Sequence, residues 1–131
     1  MRGSYRNGLI VGGVILCIGS LLEWPRLMSR RQFSEFKHNV QAHCDPFEIQ
    51  RWAIRLQAER GPDYRDRTGT NLPPGFSKLS KKPAYVATFS DGGVAVGWGR
   101  YHTIYAGSSN YICIRPAEMW IPGVYFDTMA P

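Results

Sequence analysis

The chain has 131 residues, 44% hydrophobic and 13% aromatic, which is material for one globular domain and too short for two of ordinary size. Its three cysteines exclude a disulfide-dense scaffold and any four-cysteine zinc module. The net charge of +6 is uneven: residues 1–31 hold five arginines against Glu23, while residues 32–131 hold 11 basic against 9 acidic side chains, so the domain lacks the excess a nucleic-acid surface needs.

Gly8 to Leu22 is 15 residues without a charge, about 22 Å as a helix and short of the roughly 30 Å hydrocarbon core. Tyr5 and Trp24 flank it at a separation of about 30 Å, where interfacial aromatics belong. Arg6 at one end, with Arg26, Arg30 and Arg31 at the other, can reach headgroups. Residues 1–31 are therefore expected to be a membrane anchor with basic flanks. A cleaved secretory signal is the rival, but Glu23-Trp24-Pro25-Arg26 offers no small-residue cleavage site. A buried soluble helix fits worse, because every face is apolar and glycines interrupt it. Gly8 and Gly12 match the small-residue spacing of a weak membrane homodimer. Arginine counting places the C-terminal flank in the cytoplasm, whereas the short basic head and the Tyr-, Trp- and Gly-rich domain point to export. The expectation is a single-pass protein with an extracytoplasmic domain.

Phe33, Phe36, Val40 and Cys44 recur at helical spacing. Asp45 then offers an N-cap, Pro46 a first helical residue and Glu48 a capping-box partner. Ile49, Trp52, Ala53 and Leu56 form one apolar face before Gly61-Pro62 stops the helix. Residues 32–60 are thus helical. Residues 61–83 form a Pro-rich, mildly basic connection containing Arg65, Arg67, Lys78, Lys81 and Lys82, which reads as a solvated loop with Phe76 and Leu79 pinning a helical turn.

Over residues 84–127 the period becomes two. AYVATF and VAVGWG flank Asp91-Gly92-Gly93 as a hairpin, YHTIYA and YICIR flank Gly107–Asn110 as a second, and VYF adds an edge strand. The expected fold is α+β: an N-terminal membrane helix, then one or two helices on a small meandering antiparallel sheet of four to five strands.

No phosphate loop, dinucleotide fingerprint, nucleophile elbow or metalloprotease motif occurs, and no histidine pair has ligand spacing, so neither metal nor cofactor is expected. His43-Cys44 permits a thiol nucleophile, but Cys44 fits better as a hydrophobic staple or as half of a disulfide with Cys113. Trp98, Tyr101, Tyr105, Tyr111 and Trp120 are the candidate binding residues: outward they form a platform, inward they are core. The function expected is a membrane-anchored, non-catalytic interaction domain, an envelope accessory or inhibitor with a protein partner. A glycan-binding module using the sheet aromatics and a small Cys-dependent hydrolase are the alternatives.

Overall fold

The computed structural model describes residues 30–98 and 102–128. The expected span, with Tyr5, Gly8, Gly12 and Trp24, lies outside the described residues, as does Tyr101. No helix among the described residues is long and apolar enough to cross a membrane.

The described part of helix α1 covers residues 30–43, and its Phe33, Phe36 and Val40 turn inward together with Cys44 just beyond it. Helix α2 is Pro46–Arg60. The Asp45 carboxylate accepts the Phe47 amide at 2.9 Å, satisfying one of the free donors at the helix start. Gly61 closes the other end with a φ of 69° and donates its amide to the Gln57 carbonyl. Ile49, Trp52, Ala53 and Leu56 are buried, the apolar face set by their spacing.

Among the described residues the sheet has six antiparallel strands: β1 (Arg65–Asp66), β2 (Tyr85–Thr88), β3 (Val94–Gly97), β4 (Thr103–Ala106), β5 (Ala117–Ile121) and β6 (Val124–Asp127). Their order is β1-β2-β3-β4-β6-β5. Alternation along the strands divides the side chains between two faces. Val86, Val94, Val96, Ile104, Ala106, Val124 and Phe126 meet the helices in the main core. Ala95, Tyr105 and Tyr125 belong to a second cluster on the helix-free face, completed by Tyr111. The helices and the sheet give the expected α+β class.

Three expectations need correction. The strands number six, because the 61–83 connection contributes the two-residue β1 as well as the expected turn at Phe76–Lys78. Tyr111–Arg115 is not a strand. It lies across the helix-free face, burying Tyr111 and half-burying Cys113 while Ile112 and Ile114 point outward. A period of two therefore marks burial on one side, here without a ladder. Val124–Asp127 is an inner strand, since β5 pairs along its far side. β5 was missed because an edge strand need not alternate, and its Glu118 and Met119 are both exposed. A bulge between Met119 and Ile121 distorts that edge, and Lys37 of α1 forms an ion pair with Glu118.

Two glutamines hold α2 to the turns of the sheet. Gln50 Nε2 donates to the carbonyls of Gly107 and Pro122 at 3.0 and 2.8 Å. One helical period pair later, Gln57 Nε2 donates to those of Phe89 and Gly93 at 2.9 and 2.8 Å.

Candidate functional site

The four described candidates, Trp98, Tyr105, Tyr111 and Trp120, do not share one face of the sheet. The Trp98 ring packs against Phe36 and Phe76 at centroid distances of 4.9 and 5.3 Å, and its Nε1–H donates to the Lys81 carbonyl at 3.0 Å. Trp120 stacks on Phe126 at 5.3 Å, also on the helix side. Tyr105 and Tyr111 are buried on the opposite face. The core alternative therefore describes these two tyrosines.

Of the roles open to Cys44, the disulfide with Cys113 is not formed: both are free thiols. Cys44 belongs to the helix-side core and Cys113 packs against the helix-free cluster, so the sheet stands between them. Burial, and then the nearby Glu48 carboxylate, push the Cys44 thiol up to about 11 against the opposing pull of Lys78. The neutral thiol is thereby favoured at Cys44, the opposite of the shift that activates a nucleophilic cysteine.

Glycines shape the helix-free face by letting tyrosine rings lie against the sheet. A Cβ at Gly97 would sit 2.1 Å from Cε1 of Tyr85, and one at Gly93 would sit 2.5 Å from Cζ of Tyr111. The Tyr125 hydroxyl donates to the Tyr111 carbonyl at 2.9 Å, fixing the crossing segment over β6. The Tyr105 hydroxyl donates to Asp127 at 3.1 Å. Burial first, and then the Asp127 charge, raise that phenol well above its ordinary range, so it serves as a neutral donor. The Arg115 guanidinium lies over the Phe89 and Tyr105 rings, 4.8 and 5.0 Å from their centroids.

Beside this cluster, toward the β1 edge, is a cavity of about 440 Å³ lined by Arg65, Arg67, Ala84, Tyr85, Ala87 and Phe89. Register explains it. Arg65 is paired with Ala87, so the two share a face, and the intervening Asp66 turns to the other side, where it is buried. Asp66 is occupied there: it accepts the Thr68 hydroxyl at 2.5 Å and the Thr68 amide at 2.7 Å, bonds that hold its carboxyl below the usual range. Neither the Arg65 nor the Arg67 guanidinium has an ion pair or hydrogen bond among the described residues. Tyr85 and Phe89 are half-buried and close the groove on the sheet side. Alanine at positions 84 and 87 keeps the space between the rings open.

This groove was not singled out from the sequence, in which Arg65 and Arg67 read as a mild bias within a solvated loop. The alternation Arg65-Asp66-Arg67 is the local signal that two like charges share a side. No family model, curated protein or solved structure matches the chain.

Proposed function

We propose that the protein is a non-catalytic interaction domain, held at a membrane by its N-terminal segment, that engages a protein partner through the helix-free face of its sheet. The observation that supports this most is the groove of about 440 Å³ in which two aromatic rings stand beside two guanidiniums without partners among the described residues. Arginine and aromatic side chains are the types enriched where proteins bind one another, and unpaired guanidiniums are open to charge-assisted bonds. Exposed apolar side chains extend the same surface, with Ile112 75% and Ile114 84% exposed next to Arg115. The anchor rests on the uncharged Gly8–Leu22 run between Tyr5 and Trp24.

The test places a photo-crosslinking aromatic at Phe89 of the full chain in cells, with Arg51 on the outer side of α2 as the control position. One discrete protein adduct from position 89 and none from 51, in membranes that keep the chain through carbonate washing, is the expected result. No adduct from 89 would end the interaction reading. Native chain in the soluble fraction with its N-terminus intact would end the anchor.

A further inference from the structure

We infer that the groove between β1 and β2 receives an acidic, aromatic-containing segment of the partner polypeptide, its carboxylates on Arg65 and Arg67 and its ring between Tyr85 and Phe89. This rests on the interaction reading and names the chemistry of the partner.

Three features lead to it. First, the charge is unanswered among the described residues. Asp66, the carboxylate between the two arginines in sequence, is on the other side of the sheet and held by Thr68, and Asp91 is occupied in its own turn, accepting the Gly93 amide at 2.9 Å. A guanidinium presents a planar fork that matches a carboxylate in two parallel bonds, and two such forks side by side favour successive or paired acids over one isolated charge. Second, the lining is mixed. Ala84, Ala87, Tyr85 and Phe89 present apolar surface and ring faces, where a bare inorganic ion would gain nothing, whereas a flat side chain next to the acid would stack. Third, the groove is open. Arg65, Arg67 and Ala84 are exposed and both rings are only half-buried. A free small molecule depends on burial of most of its own surface, which an open groove does not give. A side chain delivered by a larger partner does not, because contacts elsewhere share the cost of lost freedom. The exposed Ile112 and Ile114, beside the Arg115 that stacks on Phe89, are placed to make those contacts.

The experiment titrates full chain in a neutral detergent with a blocked peptide, acetyl-Asp-Phe-Asp-Glu-Leu-amide, by calorimetry. Parallel titrations use the Asn/Gln version of the peptide, inorganic phosphate, and glycerophosphoserine as a soluble lipid headgroup. The acidic peptide is expected to bind, with Arg65→Ala and Arg67→Ala each weakening it roughly tenfold. The Asn/Gln peptide should bind more weakly by a similar factor for each of the two acids seated on an arginine. Lys78→Ala combined with Lys82→Ala removes two charges away from the groove, against one in each arginine variant, and should still leave affinity within about twofold, separating direct contact from general attraction. Gly97→Ala keeps both arginines but displaces the Tyr85 ring, so it should weaken the peptide and leave phosphate unaffected.

Equal binding of the Asn/Gln peptide, or loss of affinity in the lysine control as large as in the arginine variants, would overturn the inference. So would phosphate or glycerophosphoserine binding as tightly as the peptide, which would assign the groove to a free anion or a lipid surface. If a Phe89 adduct forms in cells and the peptide fails, the interaction domain stands and the acidic segment falls. If both fail, both fall.

Discussion

Replacing Gly107 with alanine tests how the helix-free face is built. The added Cβ would lie 2.7 Å from both Cβ and Cγ of Tyr111 and 3.0 Å from its Cδ1. Those atoms are the root of the side chain, so rotating the ring does not relieve them. The backbone of Tyr111 must move instead, and it is pinned on both sides: its amide donates to the Ser108 carbonyl at 2.9 Å and its carbonyl accepts the Tyr125 hydroxyl at 2.9 Å. Overpacking costs about 1–3 kcal/mol and one weakened hydrogen bond about 1 kcal/mol, so the substitution should lower stability by about 2–4 kcal/mol. Gly97→Ala is the informative contrast. Its contact is nominally worse, at 2.1 Å, but it falls on the outer end of the half-buried Tyr85 ring, which can swing toward solvent. It should therefore cost less than about 1 kcal/mol. Urea unfolding of the full chain, followed by circular dichroism, ranks the two. In a Tyr111→Gly background, which removes the Cβ as well as the ring, the overpacking cost of Gly107→Ala should vanish, the signature of a direct coupling. If Gly97→Ala is the more damaging, or if the Gly107 cost persists without the Tyr111 side chain, the reasoning is wrong.

Two further perturbations probe the helix side. Because the Cys44 thiol is raised to about 11 in the folded chain from an ordinary 9.0, its neutral form belongs to the fold, and this contribution is intact below pH 9 and lost as pH rises toward 11. The loss should approach about 2–3 kcal/mol above pH 11, seen as a stability difference between the native chain and Cys44→Ala that shrinks with rising pH; a difference constant from pH 8 to 11 would refute it. Gln57→Ala leaves the Phe89 and Gly93 carbonyls without their side-chain donor and should cost about 1–2 kcal/mol while speeding hydrogen exchange at the Gly92 and Gly93 amides; unchanged exchange there would show that the glutamine does not hold the turn.

What was legible in the sequence was what local chemistry decides. Helix α2 carries its own start, stop and apolar face in adjacent residues, and the β2–β3 hairpin carries its turn in Asp91-Gly92-Gly93, with Gly92 at a φ of 90°. The pairing beyond that hairpin depends on residues far apart. Tyr111–Arg115 has a strand's alternation, yet its buried side is satisfied by resting on Gly93 and Gly107, and nothing in five residues distinguishes that from a ladder. The groove was illegible for the same reason: it exists because Arg65 stands opposite Ala87, a register that no local pattern around either residue specifies. The aromatic residues were visible, but their division between the two faces depended on strands whose order was not.

Both margins of the sheet are poor templates for growth. At one side β1 offers two residues of backbone, and at the other the bulge in β5 breaks the regular row of amides and carbonyls while Glu118, clasped by Lys37, sets charge along it. An added strand would find neither a long nor a regular edge to zip onto. Copies of the domain at high concentration are thereby discouraged from joining their sheets into fibrils by edge-to-edge pairing.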